Sequence, residues 1–234
     1  MNGLAIDTST YVMGVAVMKD GELAGEFMTN MKKNHSLRLM PAIRKLLEEV
    51  DLTPEQLNRI VVAEGPGSYT GVRIGVTTAK TLAWSLNIPV VGVSSLEIIA
   101  QHGRYTEGVI SPFIDARRGQ VYTGLYQSKN GIVKRVRDDQ IIQHEDWLQS
   151  LREEGENVFF ASPDMDKHVE GIKRILGEAA MIGGVTEMAP RPGELIKLGM
   201  EKEVDVSTHE FSPNYIRMAE AETKWLAAKK EGQS

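Results

Sequence analysis

The sequence predicts an α/β protein built from two units, and three observations carry that reading. Short apolar runs such as Gly3–Asp7, Ile60–Ala63 and Pro89–Val93 alternate with stretches of helical periodicity. The run Ile60-Val61-Val62-Ala63 passes through Glu64-Gly65-Pro66-Gly67-Ser68 directly into a long helical pattern, so strand, glycine turn and helix follow without a break. Composition shifts near His102-Gly103-Arg104, after which strand patterns begin again. The expected division is therefore 1–103 and 104–234.

In order, Gly3–Asp7 and Gly14–Lys19 read as strands, with Asp20-Gly21 as a hairpin turn and Glu22–Thr29 as the returning strand. His35–Val50 is helical, because Leu39, Ile43, Leu46, Leu47 and Val50 share one face. Thr53 and Pro54 suit the cap and first turn of a short helix. Ile60–Ala63 reads as a buried parallel strand, Thr70–Leu86 as a helix, Pro89–Val93 as a strand and Ser95–Gln101 as a short helix. In the second half, strands are expected at Val109–Asp115, Gln120–Tyr126 and Ile132–Arg137, with a hairpin at Asn130-Gly131. Helices follow at Glu145–Glu153, Lys167–Leu176 and Pro192–Glu203, strands at Val158–Ala161 and Ala180–Ile182, and a last helix from Met218 to Lys230.

Composition narrows the function. The 234 residues include no cysteine, which excludes disulfides, thiolate metal sites and cysteine nucleophiles. A net charge of −5 argues against direct nucleic-acid binding as the main activity. No apolar run approaches the ~20 residues a membrane helix needs, and the N-terminus lacks a signal-peptide pattern. A cytoplasmic protein is expected.

Asp7 ends a strand and is followed by Thr8, Ser9 and Thr10, a pattern suited to a metal–phosphate group or, more plainly, to capping local backbone. The glycines Gly65 and Gly67 precede a helix start, where an anion can be cradled. The plainer reading there is a tight turn. Arg73 is positioned to pair with an anion, with Glu64 or with Asp115. Small residues recur at Gly71, Gly75, Ala79 and Ala83, one helical face. A glycine inside a helix costs about 1 kcal/mol against alanine, so close approach of another backbone is expected to offset it. That stripe is expected to meet a second chain, with the preceding helix completing the contact; the plainer alternative is packing against the chain's own sheet. The predicted interface is Leu39, Ile43, Gly71, Val72, Gly75, Ala79 and Ala83. The turn Asp115-Ala116-Arg117-Arg118-Gly119 fits a partner or anion contact as well as it fits a solvated turn. Trp84, Trp147 and Trp225 are expected to pack in the core or between helices. No two of the five histidines lie three to five apart, so no helical metal pair exists.

Taken together, Ala5-Ile6-Asp7-Thr8-Ser9, Asn34-His35-Ser36 through Pro41, the loop Glu64–Gly75, Ile114–Tyr122 and Pro213-Asn214-Tyr215-Ile216-Arg217 resemble the TsaB (YeaZ) family over nearly the whole chain. The resemblance implies two actin-like (ASKHA, RNase H-like) subdomains. It implies a non-catalytic partner of the TsaD transferase, acting with TsaE to make N6-threonylcarbamoyladenosine in ANN-decoding tRNAs. It further implies homodimers when TsaD is absent, and contact with tRNA only through the complex. Asp7, Ser9, Gly65, Gly67 and Arg73 would be vestiges of nucleotide or anion loops, with no cofactor and a nucleotide only in the assembled complex. TsaD-type proteins carry two histidines four apart where this chain has Ser95 and Ile99, so a metal centre is not expected. A small-molecule kinase or ATPase is the leading alternative; a metallopeptidase is less favoured.

Overall fold

Two matching hairpins set the architecture. Asp20 and Gly21 take φ of 53° and 88°, and Asn130 and Gly131 take 54° and 77°. Left-handed angles at both central residues give a turn whose twist suits a two-residue hairpin, and Asn, Asp and Gly adopt them at least cost. The first turn joins β2 (Val12–Lys19) to β3 (Glu22–Asn30), and the second joins β7 (Gln120–Lys129) to β8 (Ile132–Gln143). The computed structural model describes residues 1–204 and 206–216. The helix expected over Met218–Lys230, with Arg217 and Trp225, lies outside the described residues.

Each hairpin extends into a five-stranded sheet of the same order. In the first, β3-β2-β1-β4-β5, the strand β1 (Gly3–Asp7) pairs antiparallel with β2 and parallel with β4 (Arg59–Gly65), which pairs parallel with β5 (Val90–Ser94). In the second, β8-β7-β6-β9-β10, the strand β6 (Val109–Arg117) pairs antiparallel with β7 and parallel with β9 (Val158–Ala161), which pairs parallel with β10 (Ala180–Ile182). Both sheets thus read 3-2-1-4-5 within their own half. This is the α/β, actin-like (ASKHA, RNase H-like) arrangement expected of the sequence.

Alternation along β1 explains how the first sheet is covered. Leu4 and Ile6 point to one face, with Ile60 and Val62, and meet α1 (His35–Glu49) and α2 (Tyr69–Leu86). Leu39, Ile43, Leu46, Val72, Val76, Ala79 and Ala83 fill that layer. Ala5, Ala16, Val61 and Ala63 point the other way and meet Ile98 of α3 (Ser95–Ala100) and Leu195 and Ile196 of α6 (Pro192–Glu201). Each fully buried Leu or Ile here contributes roughly 1.5–3 kcal/mol before entropy is charged against it.

The second sheet carries α4 (His144–Glu154) and α5 (Val169–Leu176), whose Trp147, Leu148, Leu151 and Ile172 pack on Phe113, Val121 and Phe160. Its other face takes Leu96, Ile99 and Ala100 of α3. The helix α3 therefore serves both cores. All strands of the first sheet precede residue 95, and those of the second lie between 109 and 182. The helix α6, inside the range 104–234, nevertheless packs on the first sheet. That face would otherwise expose Ala5, Val61 and Ala63, and Gly199 lets the helix backbone approach Val61. Trp147 is core, but Trp84 is 65% exposed, contrary to expectation, because it sits on the face of α2 opposite the sheet.

Candidate functional site

The glycine turn between β4 and α2 is closed by the chain's own backbone. Ser68 N–H donates to the Ser9 carbonyl at 2.7 Å, and the Thr8 hydroxyl donates to the Gly71 carbonyl at 2.7 Å. The Ser68 hydroxyl accepts from Gly71 N–H at 3.3 Å, capping the helix. A side-chain carbon on Gly67 or Gly71 would overlap the carbonyl oxygens of Ser9 and Thr8. Gly65 has φ of 109°, and a Cβ there would lie 2.8 Å from the Asn214 carbonyl. The glycines are thus needed for chain-on-chain contact.

Asp7 lies behind this closure, 1% exposed. Its Oδ1 accepts from the Ser9 amide and hydroxyl, both at 2.8 Å, while Oδ2 is buried without a partner. Burial pushes its pKa up, against the Ser9 hydrogen bonds. The residues do not fit the metal–phosphate group that the fold family implies: the carboxylate is sealed, and the helix start is capped by Ser68 and closed against the Thr8–Ser9 backbone. Of the five residues expected at this site, Asp7, Ser9, Gly65 and Gly67 come together. Arg73 does not; it lies a turn into α2, exposed, and pairs with neither Glu64 nor Asp115.

Beyond the closed turn an open cleft of about 760 Å³ separates the halves. Lys32, Lys33, Arg117 and Lys167 line it, with Asp115 and Asp164. The Asp115 turn is therefore a cleft wall. Lys167 Nζ donates to Asp115 at 2.8 Å and to Asp164 at 2.7 Å. Burial alone would raise the Asp115 pKa; the Lys167 hydrogen bond and charge outweigh it, and the net shift is downward. Behind this pair stands a group that sequence spacing did not reveal. His168 Nε2 donates to Asp115 at 3.3 Å, and its Nδ1 meets His144 Nδ1 at 2.9 Å. The two histidines are 24 residues apart and meet because α4 and α5 start side by side over Phe113. Burial, then the His168 charge, lowers the His144 pKa to about 3.

The predicted interface needs correction. Gly71, Gly75, Ala79 and Ala83 face the sheet, not a second chain; Ala79 and Ala83 are 0% exposed, and a Cβ on Gly75 would lie 2.6 Å from Thr8 Oγ1. Leu39, Ile43 and Val72 are buried in the same layer. The small stripe exists so that α2 can ride close over β1 and β4. The outward faces of these helices carry Leu37 and Met40 on α1, and Tyr69, Arg73 and Trp84 on α2. The spacing 69, 73, 77 and 84, opposite the stripe, is the signal that would have found them. The residues aligned with the TsaD histidines are also interior: Ser95 and Ile99 are 0% exposed, and Ile99 packs with Ile110, Tyr126 and Phe159.

Comparison with known proteins decides the family. The chain is 52% identical to the tRNA threonylcarbamoyladenosine biosynthesis protein TsaB of Bacillus subtilis, over 98% of this chain and 100% of that one. It is 30% identical to the Escherichia coli protein of the same name, over 93% and 95% of the two chains. The chain belongs to the TsaB family. The family model described as "TsaD: tRNA N6-adenosine threonylcarbamoyltransferase" matches residues 23–225. Among solved structures, YeaZ from Pseudomonas aeruginosa superposes with a TM-score of 0.75 at 27% identity, covering 92% of this chain and 99% of that one. A protein from the same organism, described as similar to peptidase YeaZ, gives 0.79 at 28% identity with the same coverage.

Two of the segments that carry the TsaB resemblance meet in space. Asn214 N–H donates to the Glu64 carbonyl at 2.8 Å, laying residues 213–216 along the end of β4. Tyr215 then stacks on Tyr69, ring centroids 5.4 Å apart, and its hydroxyl accepts from Arg73 Nε at 2.7 Å.

Proposed function

We propose that this TsaB-family chain is a non-catalytic subunit of the machinery that makes N6-threonylcarbamoyladenosine in tRNA. It binds a TsaD transferase through the outward face of α1 and α2 and holds that enzyme in a competent arrangement, with TsaE joining the complex. Alone it forms a homodimer through an overlapping surface, and it meets tRNA only through the complex. The observation that carries this reading is the contrast between two places. The Asp7 and glycine segments, where an actin-like ATPase would work, are closed on each other. The adjacent helices instead present Leu37, Met40, Tyr69 and Trp84 to solvent, 73%, 47%, 40% and 65% exposed. The cytoplasm is the expected compartment; no described helix is long and apolar enough to cross a membrane. Any nucleotide belongs to the assembled complex, in the open cleft.

The test is co-purification with TsaD, followed by tRNA modification with and without this chain. Modification that proceeds equally well in its absence would end the proposal. The cleft, with Lys32, Lys33, Arg117 and Lys167, is what favours an ATPase or small-molecule kinase as the alternative. Titration of the free chain with ATP and magnesium separates the two: on our reading binding is weak or absent, and Asp7→Ala removes no turnover.

A further inference from the structure

We propose that Arg73 is the anchor of the α1–α2 face, receiving a carboxylate of the partner chain in its guanidinium fork. This rests on the reading that TsaD occupies that face. An exposed arginine normally samples many rotamers, but this one is held. Its guanidinium lies over the Tyr69 ring, 4.0 Å from the centroid, and its Nε donates to Tyr215. Tyr215 is itself placed by the backbone hydrogen bond from Asn214 to β4. The ordering that a partner would otherwise have to impose is already done by folding.

The charge remains available. No carboxylate among the described residues forms an ion pair with Arg73. The Tyr215 hydrogen bond, more than any other contact, raises its pKa further. With one face stacked and Nε spent, what is left to offer is the in-plane edge, which matches a carboxylate bidentately. The surroundings point to a protein partner. Arg73 stands at a groove of about 500 Å³ between α1 and α2, where Met40, Tyr69 and Ile74 supply apolar surface beside the hydroxyls of Ser36, Thr70 and Thr77, and among the described residues it is the only charged side chain lining it. A phosphate would call for several cations. Lys32 and Lys33 line the neighbouring cleft instead. Such a groove, with one fixed guanidinium, fits an amphipathic segment carrying an Asp or Glu, and a clustered Arg and Tyr is the composition of a binding hot spot.

The experiment measures the affinity of full-length wild type, Arg73→Ala, Arg73→Lys and Tyr215→Phe for purified TsaD. Sedimentation velocity follows self-association, and circular dichroism follows the fold. Arg73→Ala and Arg73→Lys should each weaken TsaD binding by about tenfold or more, since lysine keeps the charge but not the fork. Tyr215→Phe should cost a few fold, and all variants should stay folded. Rescue of Arg73→Glu by a basic residue at one Asp or Glu of TsaD would identify the carboxylate. Wild-type affinity in Arg73→Ala, or full rescue by lysine, overturns the anchor and leaves the TsaD reading standing. Tighter binding by Arg73→Ala would mean that a segment of this chain holds the arginine. Loss of self-association alone would mean that a second copy does. Either outcome overturns the proposal. If wild type does not bind TsaD, the reading beneath it falls as well.

Discussion

Single atoms decide the behaviour of the buried polar groups. His144 stays neutral inside the fold: its Nδ1 shares one proton with His168 Nδ1 across 2.9 Å, and its Nε2 is buried with no partner. With a pKa near 3 in the fold against 6.5 for an unburied histidine, the unfolded chain binds the extra proton throughout that interval. Stability contributed by the neutral ring is complete above the unfolded value and is lost as pH falls from about 6.5 towards 3. We predict a slope of up to about 1.4 kcal/mol per pH unit from this residue, read from urea midpoints. His144→Phe should flatten that limb; an unchanged slope would mean that other groups set it. Gly71 offers a second test. A methyl there overlaps the Thr8 carbonyl, which is backbone and cannot swing away. The overpacking cost of ~1–3 kcal/mol should exceed the helix gain of about 1 kcal/mol. Gly71→Ala should therefore lower the melting temperature, and a stabilised variant would contradict the closure described for this turn.

Secondary elements show which signals the sequence carried. If the outward faces of α1 and α2 are a docking surface, Leu37→Ala and Trp84→Ala should leave stability within about 0.5 kcal/mol, the usual range for surface changes. Both should weaken TsaD binding in pull-down or titration. A folded double variant that binds as wild type would move the contact elsewhere. Glycine-bearing turns were legible because Asp20-Gly21 and Asn130-Gly131 have few alternatives to a hairpin, and the short apolar run Ile60–Ala63 marked a buried strand as plainly. The stripe Gly71, Gly75, Ala79 and Ala83 was read correctly as a place of close approach and wrongly as to what approaches. Helical spacing identifies a shared face but not its neighbour, and here the neighbour is the chain's own β1 and β4. The pairing of His144 with His168 was illegible for a related reason. It depends on two helix starts meeting over Phe113, which no local pattern encodes.

At the scale of the whole molecule, the two sheets are stitched rather than hinged. The helix α3 buries Ile98 in one core and Leu96, Ile99 and Ala100 in the other, and α6 returns from the second half to cover the first. A polar seam crosses between the halves beside α3. Ser94 donates to Asp139 Oδ2 at 2.5 Å, Tyr126 donates to Asp139 Oδ1 at 2.6 Å, and Arg135 lies 3.5 Å from the same carboxylate. Glu97 of α3 is reached by Lys202 at 3.1 Å. The Asp139 side chain is only 5% exposed, so its loss would leave the buried Ser94 and Tyr126 hydroxyls without their acceptor, while Arg135, 37% exposed, keeps Glu97 at 3.9 Å. We therefore predict that Asp139→Ala costs about 3 kcal/mol, a fall of roughly 6–12 °C in melting temperature for a chain of this size. Asp139→Asn should cost less, because it keeps an acceptor for one hydroxyl. A shared helix and a shared seam also make the halves one cooperative unit. Peptides from β1 and from β7 should lose hydrogen-exchange protection at the same denaturant concentration, in the wild type and in Asp139→Asn alike. If the second sheet opened well before the first, α3 could not be part of both cores in solution, and the protein would be two loosely joined domains able to move as a cleft-closing enzyme does. Coincident loss instead fits a rigid body whose contribution is a fixed surface.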